Sequence, residues 1–194
     1  MLTPSEHTIV KEHVRLGLEA LRRGGPLPDE VVQGIAQHHE RLDGSGYPKG
    51  LRGDEIGPWG RMAAIADSFA ALISPRPYAG TSAPQDALMN LYEWTGSSFD
   101  EALVEQFVQA LGIFPVGSLV ELSSGEVAAV MAHNRVRRLE PRVLVLTDPQ
   151  RRPLERPYES DLPALRRGAA ASSLRIARGL PAGAFELPRQ ALAS

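Results

Sequence analysis

Residues 38–51 read HHERLDGSGYPKGL, the most informative stretch of the chain. Two adjacent histidines precede a glycine-rich turn that contains Tyr47-Pro48, although the chain has only five histidines. One explanation is a metal site whose ligands lie at a helix end, because imidazole ligands suit manganese, iron, zinc and similar ions. The alternative is a polar helix end that runs into an ordinary surface loop. The spacing by itself is compatible with both.

Helical patterns lie on both sides of this stretch. Thr3-Pro4-Ser5-Glu6 has the form of a capping box with proline at the first helical position, and it predicts a helix to about Arg22. Apolar spacing and breaker residues predict four further helices, over 28–40, 58–73, 84–94 and 98–112. The glycine-rich residues 41–57 are therefore expected to form a structured loop between the second helix and the third.

The pattern changes after residue 112. Short β-branched runs over 119–122, 127–131 and 143–146 predict strands, and the Ser-Ser-Gly-Glu at 123–126 predicts a hairpin. From Asp148 onward the chain is rich in Arg, Pro and Ala and has little core pattern. We therefore expect a mainly α fold: about five helices over 1–112, a small β appendage over 113–150, and a weakly structured tail over 151–194 that is partly helical or disordered.

The composition narrows the classes of function. With 194 residues, 43% of them hydrophobic, the chain can form one core with an appendage. A formal net charge of −2 gives no reason to expect a nucleic-acid polymer or a membrane as partner. Cysteine is absent, so any metal must be bound by histidine and carboxylate side chains. No apolar run is long enough for a bilayer and no signal-peptide pattern follows Met1, so a cytoplasmic location is expected.

Four residues are candidate metal ligands: His13, His38, His39 and Asp67. Adjacent helical residues diverge by about 100°, so the histidine pair can straddle a cluster of ions or serve two neighbouring ions. The alternatives without a metal are a structural histidine in the core at position 13 and a hydrogen-bonding helix residue at position 67. His133 is predicted to lie at the surface.

The quoted stretch, together with RMAAIADSFAALISPRPY at 61–78, resembles the signature of the HD-GYP family, bacterial signalling phosphodiesterases that open the second messenger cyclic di-GMP. The similarity includes LTPSEHTIVKEH at 2–13 and extends over about residues 2–147. It implies an HD-type helical domain with bound divalent metal (Fe, Mn or Zn). By position it assigns the metal ligands His13, His38, His39 and Asp67, the substrate-loop residues Gly46, Tyr47 and Pro48, and the phosphate-binding residue Arg76.

The resemblance also implies parts that this sequence does not match. A ligand histidine and a His-Asp pair are expected upstream of His13, and that aspartate normally bridges two ions, so the implied metal site is incomplete. Ala71 and Ala79 stand where a second aspartate and a basic residue are frequent. Glu40 is the nearest carboxylate that could substitute. The implied chemistry is metal-assisted hydrolysis by an activated water, with no side chain assigned as nucleophile, and we expect negligible turnover by this chain alone.

Two functions are compatible with these features. The first is hydrolysis of cyclic di-GMP, and the alternative is a catalytically inactive module whose glycine-rich loop binds a signalling partner such as a GGDEF-domain protein. The unmatched upstream segment also predicts that Val10, Val14 and Leu18 are uncovered. Such an apolar patch favours self-association or binding of the missing N-terminal segment.

Overall fold

The computed structural model describes residues 3–75, 80–134, 139–162 and 174–185. These residues form six α-helices and five strands: α1 (Pro4–Lys11), α2 (His13–Arg22), α3 (Asp29–Gln37), α4 (Pro58–Ile73), α5 (Pro84–Glu93), α6 (Glu101–Leu111), β1 (Leu119–Leu122), β2 (Val127–Ala132), β3 (Arg142–Thr147), β4 (Pro153–Asp161) and β5 (Ile176–Leu180). A mainly α fold with a small C-terminal sheet is confirmed. None of the described helices is long and apolar enough to cross a bilayer.

The first predicted helix is divided in two at Glu12. The capping box forms as expected, since the Thr3 hydroxyl accepts from the Glu6 N–H at 3.3 Å and the Thr3 N–H donates to the Glu6 carboxylate at 2.7 Å. Glu12 keeps right-handed helical angles, and its N–H donates to the Ile9 carbonyl three residues back. The division is therefore a single turn of tighter, 3-10-type hydrogen bonding. The apolar periodicity of the sequence continues through it.

The apolar face of these two helices differs from the prediction. Val14 is buried, at 2% exposed, and Leu18 is half-buried, so the expectation that both are uncovered is wrong. The reason is that α3 packs against α2. Val10 is exposed as predicted, and the other large apolar side chains that these helices expose are Ile9, Leu16 and Leu21, at 71%, 51% and 44%. Self-association through this face remains a prediction.

The loop between α3 and α4 is tied to the elements around it. The Leu42 N–H donates to the Ser98 carbonyl at 3.1 Å, and the Gly53 N–H donates to the Leu42 carbonyl at 3.0 Å. Arg61 of α4 donates to the Gly53 carbonyl and to the Asp100 carboxylate, both at 3.0 Å. Because these bonds occupy the backbone polar groups of a half-buried loop, the loop has a defined conformation next to the histidine pair.

The sheet is antiparallel with the order β4-β3-β2-β1-β5. Its core consists of alternating side chains from the three central strands plus one that follows β4: Val120, Leu122, Ala128, Val130, Val143, Val145 and Leu162. The three predicted strands are confirmed to within one residue at each end. Residues 153–161 and 176–180 differ from the prediction, because they form β4 and β5 rather than a helical or disordered tail.

The two edge strands, β4 and β5, lack the apolar pattern from which strands are predicted. Most side chains of β4 are exposed, so the strand lacks the apolar alternation that marks a half-buried strand, and it pairs through its backbone with β3. β5 likewise buries little more than Leu180. Residues 163–173 and 186–194 of the predicted tail lie outside the described residues. The domain boundaries at 112 and 150 remain predictions.

The carboxylate of Glu121 on β1 provides a test of the sheet. It accepts from Arg178 of β5 at 2.7 Å and from Arg151 at 2.8 Å, and the bonds from Arg178 hold the pKa of Glu121 below its ordinary value. We expect Glu121→Gln to lower the free energy of unfolding by about 0.5–1 kcal/mol at pH 7. Because the folded pKa is lowered, this difference should be present above pH 4.5 and shrink as the pH falls through the folded pKa.

Urea unfolding at pH 7 and pH 3 measures this difference. Glu159→Gln is the matched control, because its contact with Arg142 is 3.7 Å long and exposed. A Glu121→Gln effect of the same size at both pH values would contradict the role of the charged pair.

Candidate metal centre

Three histidines from two elements meet in the helical unit of the fold. His13 is the first residue of α2, and His38 and His39 directly follow the last residue of α3. The His13 Nε2 atom lies 3.2 Å from the Nε2 atoms of both His38 and His39, and the ligand atoms of all three lie within 4.8 Å of one another. The structure therefore brings together three of the four predicted ligands. His13 is exposed, so the alternative of a core histidine is wrong.

The hydrogen bonds of these rings indicate which nitrogen is available to a metal. The Nδ1 atom of His13 lies 2.6 Å from the Val10 carbonyl, and that of His38 lies 2.7 Å from the Ile35 carbonyl. A carbonyl oxygen only accepts, so we assign the proton of each ring to Nδ1. The Nε2 lone pairs of His13 and His38 then face each other at 3.2 Å. This arrangement is repulsive unless a proton or a metal ion lies between the two nitrogens.

The separation of the nitrogens fits a divalent ion. Two imidazole nitrogens bound to one ion at 2.0–2.1 Å lie about 2.8–3.4 Å apart, from about 2.8–3.0 Å at octahedral angles to about 3.3–3.4 Å at tetrahedral angles. The observed 3.2 Å falls in that interval. Nδ1 bonds to backbone carbonyls are also the usual way in which proteins orient histidine ligands. The residues present therefore fit a divalent metal ion held by three imidazoles, and they do not distinguish Fe from Mn or Zn.

Asp67 of α4 adjoins the cluster through His39. Its Oδ2 atom lies 3.4 Å from Nδ1 of His39, on the opposite side of the ring from Nε2. A carboxylate in this position holds the imidazole in the orientation that directs Nε2 towards a metal. The structure thus places Asp67 beside the three histidines, as predicted. Its direct contact with an ion remains a proposal.

Glu40 does not provide the additional carboxylate considered above. Its side chain is 1% exposed, and its two oxygens accept from the N–H groups of Lys49 at 2.8 Å and Leu51 at 2.9 Å. Both oxygens are therefore occupied by the backbone of the loop that follows Tyr47-Pro48. Glu40 is a structural residue that closes this loop, and the expectation that it could act as a ligand is wrong.

The glycine-rich turn brings Tyr47 against the histidines. A Cβ atom on Gly46 would lie 2.5 Å from backbone atoms of His39, Glu40 and Arg41, so this close approach requires glycine. The Tyr47 N–H donates to the His39 carbonyl at 3.1 Å, and the Tyr47 ring stacks on the His39 ring with centroids 4.5 Å apart. The turn therefore makes Tyr47 a wall of the histidine cluster.

The phenol of Tyr47 remains protonated at neutral pH. Burial raises the pKa of Tyr47, and the negative charge of Asp67 raises it further, whereas Arg41 opposes the shift. A protonated phenol can donate a hydrogen bond to an anionic ligand. Pro48, which follows through a cis peptide bond, is exposed. Arg76, the predicted phosphate-binding residue, lies outside the described residues.

Arg41 is a residue of the site that the sequence analysis did not single out. Its guanidinium donates to the carbonyls of His38 at 3.2 Å and Glu40 at 2.7 Å, and to the Ser68 hydroxyl at 3.0 Å. It thereby joins the end of α3 to α4, the helix that carries Asp67. Burial lowers the pKa of Arg41, and the charge of Asp67 counteracts this shift. A basic residue directly after a helix end, where carbonyls lack partners, was the available signal.

Comparisons with known proteins identify the family of this chain. A family model described as HD domain matches residues 1–103. The chain is 38% identical over 144 residues to "Cyclic di-GMP phosphodiesterase PA4108" of Pseudomonas aeruginosa, a match that covers 74% of this chain and 34% of the relative. It is 37% identical over 110 residues to a cyclic di-GMP phosphodiesterase of Thermotoga maritima, which covers 56% and 30%.

A solved structure, the HDG"Y"P protein Bd1817 of Bdellovibrio bacteriovorus, aligns with a TM-score of 0.47 and 22% identity over 57% of this chain and 34% of that chain. The chain spans about a third of the length of these relatives. The family match covers more than half of the chain and contains all four predicted metal ligands. The chain therefore belongs to the HD domain family, and the HD-GYP resemblance of its sequence is confirmed.

Proposed function

We propose that this chain carries the three-histidine part of the metal site, and the substrate loop, of a phosphodiesterase that acts on cyclic di-GMP. The observation that carries the proposal is the convergence of three imidazole Nε2 atoms beside the stacked Tyr47 ring. A divalent ion (Fe, Mn or Zn) held by these imidazoles would polarise a phosphodiester oxygen and stabilise the negative charge that develops on it. A cytoplasmic location is part of this proposal.

The other residues of the site have supporting roles in this proposal. Asp67 orients His39 through Nδ1, and Arg41 holds the end of α3 so that both imidazoles of the pair keep their positions. The protonated phenol of Tyr47 donates a hydrogen bond to the substrate. Arg76 binds a substrate phosphate through its planar guanidinium, which matches phosphate oxygens bidentately.

The described residues provide ligands for one ion rather than two. Among these residues, the side chains whose ligand atoms converge are the three histidines. Glu40 is hydrogen-bonded to the loop backbone, and Asp67 contacts His39 through Nδ1. Two ions roughly 3.5–4 Å apart are the arrangement that stabilises both the attacking and the leaving oxygen of a phosphodiester. We therefore expect the 194-residue chain to bind cyclic di-GMP with little or no turnover.

Titration of the purified chain tests this function. After loading with Mn²⁺ or Fe²⁺, elemental analysis should find about one ion per chain, and calorimetry should show cyclic di-GMP binding that is lost on addition of EDTA. Chromatography should show background levels of linear dinucleotide and GMP. The same chain without metal is the control. Absence of metal-dependent binding would overturn the proposed function, whereas rapid turnover with two bound ions would overturn only the one-ion expectation.

The interaction module that binds a GGDEF-domain protein is the second candidate. It would use the same glycine-rich loop, with Tyr47 available to a protein partner. In the structure the Tyr47 ring is half-buried and stacked on His39, an arrangement that favours a role in the metal and substrate site. Tyr47→Ala should accordingly weaken cyclic di-GMP binding and leave the set of co-purifying proteins unchanged.

A further inference from the structure

Lys11 is the last residue of α1 and lies beside the site described above. Its side chain is exposed, and its Nζ atom lies 4.9 Å from the centroid of the Tyr47 ring. The same ring is stacked on His39 at 4.5 Å. An ammonium group is therefore held next to the aromatic wall of the histidine cluster, by a contact of the cation–π type.

The positive charge of Lys11 has no carboxylate partner among residues 3–75, 80–134, 139–162 and 174–185. The neighbouring cations are committed elsewhere. Arg15 pairs with Glu12 at 2.9 Å and with Glu19 at 2.6 Å. Arg41 uses its donors on two carbonyls and a hydroxyl, and its guanidinium lies 4.9 Å from the centre of the Phe99 ring. Lys11 is thus an accessible cation beside Tyr47 with its three N–H donors available.

The chemistry of this position points to an anionic ligand. An ammonium group close to a divalent-ion site is repelled by the ion, and a carboxylate partner would be the usual compensation. A phosphodiester bound between the two would supply the missing negative charge. The contact with Tyr47 also restricts the long lysine side chain before the ligand arrives, which lowers the entropic cost of binding.

We propose that Lys11 is a phosphate-binding residue of this site, whose ammonium donates to a phosphate oxygen of the cyclic dinucleotide while Tyr47 holds its side chain in place. The proposal rests on the proposed function. It adds to the site a second cation, which comes from α1 rather than from the segment that contains Arg76.

Lys11→Met tests this role, because it keeps the aliphatic side chain on Tyr47 and removes the charge. The Mn²⁺-loaded variant should bind cyclic di-GMP about 10- to 100-fold more weakly, the effect of one charge-assisted contact. Lys11→Arg should recover most of the loss. Arg22→Met, which removes a positive charge from the other end of α2, should change the affinity less than twofold. All three variants should retain the manganese content of the wild type.

Lysine-specific acetylation gives an independent measurement, because Lys11 and Lys49 are the only lysines of the chain. Mass spectrometry reports the labelling rate of each. Saturating cyclic di-GMP should slow acetylation of Lys11 more than that of Lys49, and equal protection of both would overturn the proposal, since it would indicate general shielding of the loop. Unchanged affinity of Lys11→Met at unchanged manganese content would also overturn it. If the wild type itself does not bind cyclic di-GMP, the proposed function fails as well.

Discussion

Replacing His39 by alanine is expected to abolish metal binding by this chain. His39 contributes one of three convergent Nε2 atoms, stacks on Tyr47 and receives the orienting carboxylate of Asp67. Its loss leaves two imidazoles, which form a weak site for Mn²⁺ or Fe²⁺. We expect a loss of affinity larger than the about 10- to 100-fold that removal of an outer partner causes. His38→Ala should have the same effect, because the His13 Nε2 atom is equally close to both rings.

Elemental analysis after dialysis measures the metal content of His39→Ala. Three variants are compared with it: Asp67→Asn, His7→Ala and His38→Ala. Asp67→Asn keeps the shape of the side chain and should weaken metal binding by only about 10- to 100-fold if Asp67 acts through His39. A loss as complete as that of His39→Ala would indicate direct ligation. His7→Ala removes an exposed histidine of α1 outside the cluster and should have no effect. Equal metal content in the wild type, His38→Ala and His39→Ala would show that the three histidines do not form a metal site.

Glu40→Ala is expected to be the most destabilising single substitution near the site. The buried carboxylate accepts from two backbone N–H groups, those of Lys49 and Leu51, and alanine would leave both without an acceptor. Hydrogen bonds to a charged group contribute about 1.5–3 kcal/mol each, so we expect the free energy of unfolding to fall by about 3–5 kcal/mol. Because the same loop carries Tyr47, affinity for cyclic di-GMP should fall as well.

Urea unfolding measures the loss, with Glu30→Ala as the matched control. Glu30 is an exposed residue in the first turn of α3, and its replacement should change stability by less than about 1 kcal/mol. Glu40→Gln should be intermediate, because an amide has one acceptor oxygen and presents its N–H₂ to the other backbone donor. If Glu40→Ala unfolds at the same urea concentration as Glu30→Ala, the carboxylate does not close the loop.

The sequence was sufficient for features that depend on local spacing. Helix starts, apolar periodicity and glycine breaks predicted the ends of α3 to α6 to within three residues, and β-branched runs predicted β1 to β3. The break at Glu12 and the edge strands β4 and β5 were not predictable in this way. A tightened turn leaves the apolar periodicity of the sequence unchanged, so the break at Glu12 has no sequence signal. An exposed edge strand pairs through backbone N–H and C=O groups, which every residue type except proline provides in full, so its side chains need no recognisable pattern.

For the site, the sequence alone determined which chemical groups are available: three imidazoles, two of them adjacent in the chain, no thiolate, and a glycine-rich turn with a tyrosine. Only the tertiary structure decided how they are used. It placed Nε2 of His13 3.2 Å from that of His38, set Asp67 beside His39, turned Glu40 inward to the loop backbone, and brought Lys11 over Tyr47. Residue types and periodicities are local properties of a chain. Distances between residues that are tens of positions apart depend on how α1 to α4 and their loop pack, and no local pattern specifies that.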